Sequence, residues 1–245
     1  MTVSVLDIKF NNMGNEAVVY PVVLHNENEV VLVDCGYPGF MPLIESAMQQ
    51  HGLSLEHTTG IFITHDDIDH VGALFEIKGK YPHINVYSSV IEEKYISGKE
   101  KSPRLLQAES MQETLPESQR EGASQFIAML KAIRPVTVDT LLYDNEEPSF
   151  LPGVQIINTP GHTPGHFSLY VKESKTFIAA DAVVAENGYL EIANPQFTLN
   201  LQEAIASVKK MEQLDIDKLI CYHGGTIDKD IKTQLQSLIA KYAGV

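Results

Sequence analysis

Two cysteines, Cys35 and Cys221, are all the thiols the chain has, too few to build a disulfide framework. Each sits inside an apolar run, so both are expected as buried free thiols. Basic residues are also scarce: 18 Lys and Arg stand against 32 Asp and Glu, a formal net charge of -14. Nucleic-acid binding depends on neutralising phosphates with a basic surface, so this balance argues against nucleic acid as a partner. No run of 18 apolar residues occurs, and the first residues, Met1-Thr-Val-Ser-Val-Leu-Asp7, have neither a basic start nor a long apolar core. The expectation is therefore no membrane span, no signal peptide and a cytoplasmic protein. Gly-x-Ser-x-Gly is missing too, so the chain offers no serine nucleophile on a strand-to-helix elbow.

What the chain does have is the run Ile61-Phe-Ile-Thr-His-Asp-Asp-Ile-Asp-His-Val-Gly-Ala-Leu74, with His65, Asp67, Asp69 and His70 within six residues, directly after an apolar stretch. In an extended segment every second side chain points the same way, so positions 65, 67 and 69 can converge. His70 joins them if the chain turns near Val71-Gly72. Imidazoles and carboxylates aimed at one point suit a hard or borderline divalent cation.

Three later apolar stretches end in matching residues. Val154-Gln-Ile-Ile157 leads into Asn158-Thr-Pro-Gly-His-Thr-Pro-Gly-His166, Phe177-Ile-Ala-Ala180 into Asp181, and Leu219-Ile-Cys-Tyr222 into His223. Loops at strand ends are where a rigid scaffold presents functional groups. Taken singly, a lone Asp or His after a strand is a common turn or core residue; four strand ends that each carry a metal-competent group are harder to explain that way.

In the order of these elements, with Val31-Leu-Val-Asp-Cys-Gly36 before them, the chain resembles the metallo-β-lactamase-fold hydrolase superfamily over nearly its full length. The resemblance implies an α/β chain folded as an αββα four-layer sandwich, and a single domain over 1–245. It also implies two metal positions, one held by His65, Asp67 and His162 and the other by Asp69, His70 and His223, with Asp181 bridging them. His162 is the matching histidine of the Pro-Gly-His-Thr loop; His166 is read as supporting, Asp66 as facing away, and Asp34 as ordering a loop. The cofactors expected are two divalent ions, zinc first, with iron or manganese as alternatives.

Two cations roughly 3.5–4 Å apart can share a water and bring its pKa down from about 15.7 towards neutrality. The resemblance thus implies that a bridging hydroxide cleaves an ester, lactone, thioester or phosphoester in a small-molecule substrate. Asp69 or Asp181 would act as catalytic residues that handle a proton. The chain departs from the family at Asp67, where the usual run H-x-H-x-D-H has histidine. The ligand set then carries three carboxylates instead of two, which is expected to weaken Lewis acidity and favour harder ions. A non-haem iron redox enzyme of the same fold, flavodiiron- or persulfide-dioxygenase-like, is the alternative.

Two substrate classes of the family fit poorly. Acyl-homoserine lactonases carry a Tyr shortly after the bridging Asp, where this chain has Ala182-Val-Val-Ala185, leaving Tyr189 or Tyr222 as remote substitutes. Glyoxalase II-type thioesterases use a basic C-terminal region, where the tail from Asp230 has only Lys232 and Lys241.

Periodicity places strands at 2–10, 16–25, 29–34, 61–64 and 85–87, and again near 136–143, 154–158, 167–171, 176–180 and 218–222. Helices are expected over Pro42–Gln50, 71–79, Leu201–Leu214 and Ile231–Tyr242. Segment 90–135, rich in Glu, Gln, Ser and Lys, is expected as a helical insertion, either a lid over the site or a contact in a homodimer.

Overall fold

The computed structural model describes residues 1–12, 14–194 and 196–243. In chain order its strands are β1 (Thr2–Val5), β2 (Ile8–Asn12), β3 (Asn15–Val19), β4 (Val22–His25), β5 (Val30–Val33), β6 (Gly60–Phe62), β7 (Asn85–Ser89) and β8 (Thr140–Leu142). They continue with β9 (Val154–Asn158), β10 (Phe167–Val171), β11 (Thr176–Ala180), β12 (Val184–Glu186), β13 (Tyr189–Glu191), β14 (Lys218–Cys221) and β15 (Gly225–Ile227). The helices are α1 (Met41–Gln50), α2 (Ile68–Val71), α3 (Leu74–Lys80), α4 (Glu92–Ile96), α5 (Pro103–Thr114), α6 (Glu117–Lys131), α7 (Leu201–Glu212) and α8 (Ile231–Lys241).

Strands β1-β4-β5-β6-β7-β8 form one sheet and β15-β14-β11-β10-β9 a second. Their strands are short and mostly apolar, as expected for sheets covered on both faces. One core lies between the sheets and joins Leu24, Val31, Val33 and Phe62 of the first to Ile156, Phe167, Leu169 and Ile220 of the second. The outer face of the first sheet packs on α1 and α3 through Ile44, Met48, Leu74 and Ile77. The outer face of the second packs on α7 and α8 through Val208, Met211, Leu235 and Leu238. The result is the αββα order, and it leaves the ends of β6, β9, β11 and β14, with the loops after them, at one edge of the sandwich.

Some expected elements divide. The run 2–10 becomes β1 and β2 and 16–25 becomes β3 and β4, so β2 and β3 pair as a separate ribbon. Pro21 has no N–H to continue the ladder; its carbonyl accepts from Leu6 N at 2.8 Å instead. Strand β2 runs on through Asn12, beyond the expected end at residue 10, and residue 13 lies outside the described residues. The helix foreseen at 71–79 is two helices that meet at Gly72, where an added Cβ would stand 2.4 Å from Pro38 N. A hairpin not foreseen joins β12 to β13 through Asn187 and Gly188, with φ of 53° and 83°. Both values belong to a type I′ turn, which Asn-Gly favours.

Segment 90–135 contains α4, α5 and α6. Helix α5 starts with a side-chain cap, Ser102 Oγ accepting from Leu105 N, and with Pro103 in its first turn. That start places Arg104 at the base of the helix, 3% exposed.

Candidate metal centre

The loop after β6 is built around Asp34. This residue adopts a left-handed φ of 62° and is buried. Its Oδ1 accepts from Thr64 N and its Oδ2 from Thr64 Oγ1, both at 2.8 Å. The same Oδ2 stands 2.9 Å from His70 Nδ1. Asp34 therefore orders the loop, as the sequence suggests, and also fixes a histidine: with a proton on Nδ1, His70 turns a bare Nε2 inward. Burial would by itself lower the His70 pKa, but Asp34, Asp181 and Asp69 outweigh it and raise it well above its usual range. This cluster therefore favours positive charge at Nε2, either a second proton or, in its place, a metal cation.

All seven candidate ligands come together. His65, Asp67 and His162 form one group, His65, His70 and Asp181 a second, and Asp69, His70 and His223 a third, each with ligand atoms within 4.8 Å of one another. Asp181 ties the groups: its Oδ1 lies 3.5 Å from His70 Nε2, and its Oδ2 lies 3.6 Å from His162 Nε2 and 3.5 Å from His223 Nε2. These separations are long for direct hydrogen bonds. They match two donors on one tetrahedral ion, which bonds of about 2.1 Å place roughly 3.4 Å apart. His65 Nε2, His70 Nε2 and Asp181 Oδ1 are buried with no hydrogen-bond partner. Buried polar atoms are seldom left so, and a cation among them would satisfy all three, so the donor set fits divalent metal.

Asp181 is aimed by its own strand. The β11–β14 register shifts between Ile178 and Ala180, where Ala180 has a φ of 47°. Such irregularities re-aim the next side chain and recur beside functional sites. His166 completes the support, accepting from Asp181 N at 3.2 Å through Nε2, while its Nδ1 lies 2.9 Å from Thr159 Oγ1. Tyr222 is excluded as a substrate-binding tyrosine, because its hydroxyl donates to the Asp69 carbonyl at 2.6 Å and its ring lies against that of His70, centroids 3.9 Å apart and tilted by 36°. Cys221 is a buried free thiol and belongs to none of the three ligand groups.

Two residues escaped the sequence reading. Arg104 grips Asp67 through Nε and Nη2, at 2.9 Å and 2.7 Å. Burial opposes the charge on Asp67, yet Arg104, with His162 and His65, holds its carboxyl well below the usual range. The third carboxylate that the sequence adds to the ligand set is therefore not left alone: it is ion-paired with a buried guanidinium. A signal for it did exist, since a buried excess carboxylate calls for a cation and all three arginines lie in 90–135.

Glu92 is the other. Its Oε1 accepts from Thr163 Oγ1 at 2.7 Å and Gly165 N at 2.8 Å, and its Oε2 from Asp66 N at 3.0 Å. One carboxyl thus pins the loop after β6 to the loop after β9. Asp66 does face away from the ligands, into this contact. Glu92→Ala strands three buried donors at about 1 kcal/mol or more each. At about 2–4 °C per kcal/mol for a chain of this size, Tm should fall by roughly 6–12 °C in differential scanning calorimetry, and by less for Glu92→Gln. An unchanged Tm would show that the two loops hold together without it.

The profile of the metallo-beta-lactamase superfamily matches residues 14–223. The chain is 28% identical over 248 residues to the probable metallo-hydrolase YflN of Bacillus subtilis (strain 168), an alignment covering 93% of this chain and 88% of that protein. It superposes on the metallo-beta-lactamase family protein TTHA1429 of Thermus thermophilus with a TM-score of 0.74 at 21% identity, covering 98% and 79% of the two chains. A further structure of this fold, TTHA1623 in a di-iron-bound form, superposes with a TM-score of 0.63 at 19% identity, covering 89% and 94%.

Proposed function

The chain belongs to the metallo-beta-lactamase superfamily, and from that premise we propose that it is a hydrolase acting on a small-molecule substrate through two divalent cations held side by side. The observation that carries this reading is the convergence of seven donors in three overlapping groups, with Asp181 reaching a histidine of each set. When bound, such a pair supplies Lewis acidity and a water of near-neutral pKa.

The protein's own groups set the rest. Asp34 and His166 fix the directions of His70 and Asp181 before any ligand arrives, which is the kind of support that keeps a metal site in register. His65 and His70 are sealed at 0% side-chain exposure, whereas His223 shows 36% and Asp69 14%. Substrate therefore approaches over His223 and Asp69, and Asp69, next to that opening, is placed to take up or return a proton during cleavage. The electrophile is an ester, lactone, thioester or phosphoester. Zinc is the first candidate; iron or manganese suits the carboxylate-rich donor set, and TTHA1623 offers a di-iron precedent in the same fold. An oxygen-dependent iron enzyme is the competing reading.

Metal analysis by mass spectrometry on protein purified without chelator or nickel should give about two equivalents of zinc or manganese per chain. Stripping the metal should abolish hydrolysis of chromogenic ester and phosphodiester probes, and readdition should restore it. Ions present at about 1,000 times their Kd stabilise the folded state by about 4 kcal/mol, so chelation should lower Tm by roughly 8–16 °C. About one iron per chain, with thiol-dependent oxygen uptake and no hydrolysis, would replace this reading with the redox one.

A further inference from the structure

Arg104 reaches the metal centre from α5, a helix that contributes none of the seven candidate ligands. Its guanidinium is engaged through all three nitrogens. Nε and Nη2 donate to the two oxygens of Asp67, at 2.9 Å and 2.7 Å, and Nη1 donates to Gln107 Oε1 at 2.7 Å. The Phe197 ring lies 5.5 Å from its central carbon. The planar fork matches a carboxylate in a way lysine cannot. Nη2 also lies 3.4 Å from His162 Nε2, so the cation stands beside two of the three donors of one metal position. The other position differs. Among the described residues the carboxylates of Asp69 and Asp181 make ion pairs only with histidines.

We infer that Arg104 is a positioning residue that turns Asp67 into a charge-neutral ligand and makes the position of His65, Asp67 and His162 the weaker of two unequal metal positions. The inference rests on the metal-dependent reading above and concerns how the centre fills. Asp67 with Arg104 carries no net charge, like the neutral imidazole that stands at this point in the usual H-x-H-x-D-H run. The seven-ligand set with Arg104 therefore has the net charge of a two-carboxylate set. The equivalence is incomplete, because an imidazole presents a free lone pair, whereas both Asp67 oxygens are already hydrogen-bonded to a cation that also repels an incoming dication. The position of Asp69, His70 and His223 fills first and the position gripped by Arg104 second. Because the grip comes from the first turn of α5, the helices of 90–135 take part in setting metal affinity.

The test is a titration of the chelator-stripped full chain with zinc, and separately with manganese, followed by calorimetry and native mass spectrometry. The native chain should take its first ion at least about 100-fold more tightly than its second. Arg104→Met should tighten the second step by about 10-fold or more, since losing a purely supporting partner would weaken it by about 10–100-fold instead. Asp67→His, which restores the usual ligand but leaves Arg104 facing two histidines without its carboxylate, should weaken the second step by about 10-fold or more. The double variant Asp67→His with Arg104→Met should bind two ions with affinities within about 10-fold. Opposite signs for the single variants and recovery in the double one form a coupling that a structural role does not produce. If Arg104→Met fails to fold, Asp67→His against the double variant carries the test.

A second step that weakens or stays the same in Arg104→Met overturns the inference, as does Asp67→His binding two ions as well as the double variant. Two ions bound with none of these differences leaves the hydrolase reading standing and sinks this one alone. No metal bound by any variant sinks both.

Discussion

Asp181→Ala is expected to remove hydrolysis by at least about 1,000-fold, beyond the 10–100-fold typical of losing a partner outside the ligand set. The reason is geometric. Asp181 is the one carboxylate among the candidates whose oxygens approach histidines of both metal positions, His162 on one side and His70 and His223 on the other. Its removal takes a donor from each position together, so metal content should fall along with activity, from about two equivalents to one or fewer. Far-ultraviolet circular dichroism should be unchanged, because Asp181 follows β11, whose pairing is all main chain and ends at Ala180. Retained activity and retained metal in Asp181→Ala would overturn the site assignment.

Gly161→Ala should produce the largest loss of stability, about 3–5 kcal/mol, with Tm falling by roughly 6–20 °C. Gly161 has a φ of 135°, which an L side chain rarely adopts, and an added Cβ would stand 2.2 Å from Ala204 N and 2.4 Å from Ala204 Cα. Those are backbone atoms in the first turn of α7, so no side chain can rotate aside. The loop is also laced to the start of that helix, with Asn200 N donating to the Gly161 carbonyl at 2.8 Å and Leu199 N to that of His162 at 3.2 Å. Pushing α7 away would carry His162 out of the metal centre, and activity should fall with Tm. Thermal denaturation together with metal analysis checks both; a Tm within about 2 °C of the native chain would mean that the loop relaxes freely, which removes the steric argument.

The site and the fold were legible in the chain to different depths. The ligand run His65 to His70 could be read because strand and turn geometry act over a few residues: alternation in an extended segment fixes which side chains share a face. Phe177–Ala180 before Asp181 and Leu219–Tyr222 before His223 could be read as apolar strands for the same reason. The divided strands around Leu6 and Tyr20 were less legible. Pro21 marks the second break in the sequence, but at Leu6-Asp7 the strand pattern carries no such mark and only pairing to different partners separates the two halves.

Sequence by itself determined a chain of mixed strands and helices, the metal-competent chemistry at four strand ends and the lack of a Gly-x-Ser-x-Gly elbow, because these follow from local periodicity and residue type; the αββα layering came with the family resemblance. Tertiary structure alone decided what Asp67 means. Read in the chain, it is an extra negative charge in the ligand set; in the fold, Arg104 arrives from 37 residues away to pair with that charge. It decided equally that Asp34 orients His70 and that Glu92 fastens two loops, one 71 and 73 residues distant from it and the other 26. Electrostatic and hydrogen-bond partners act over a few ångströms in space, whatever their separation along the chain, so they become visible only once docked helices and packed sheets have brought them together.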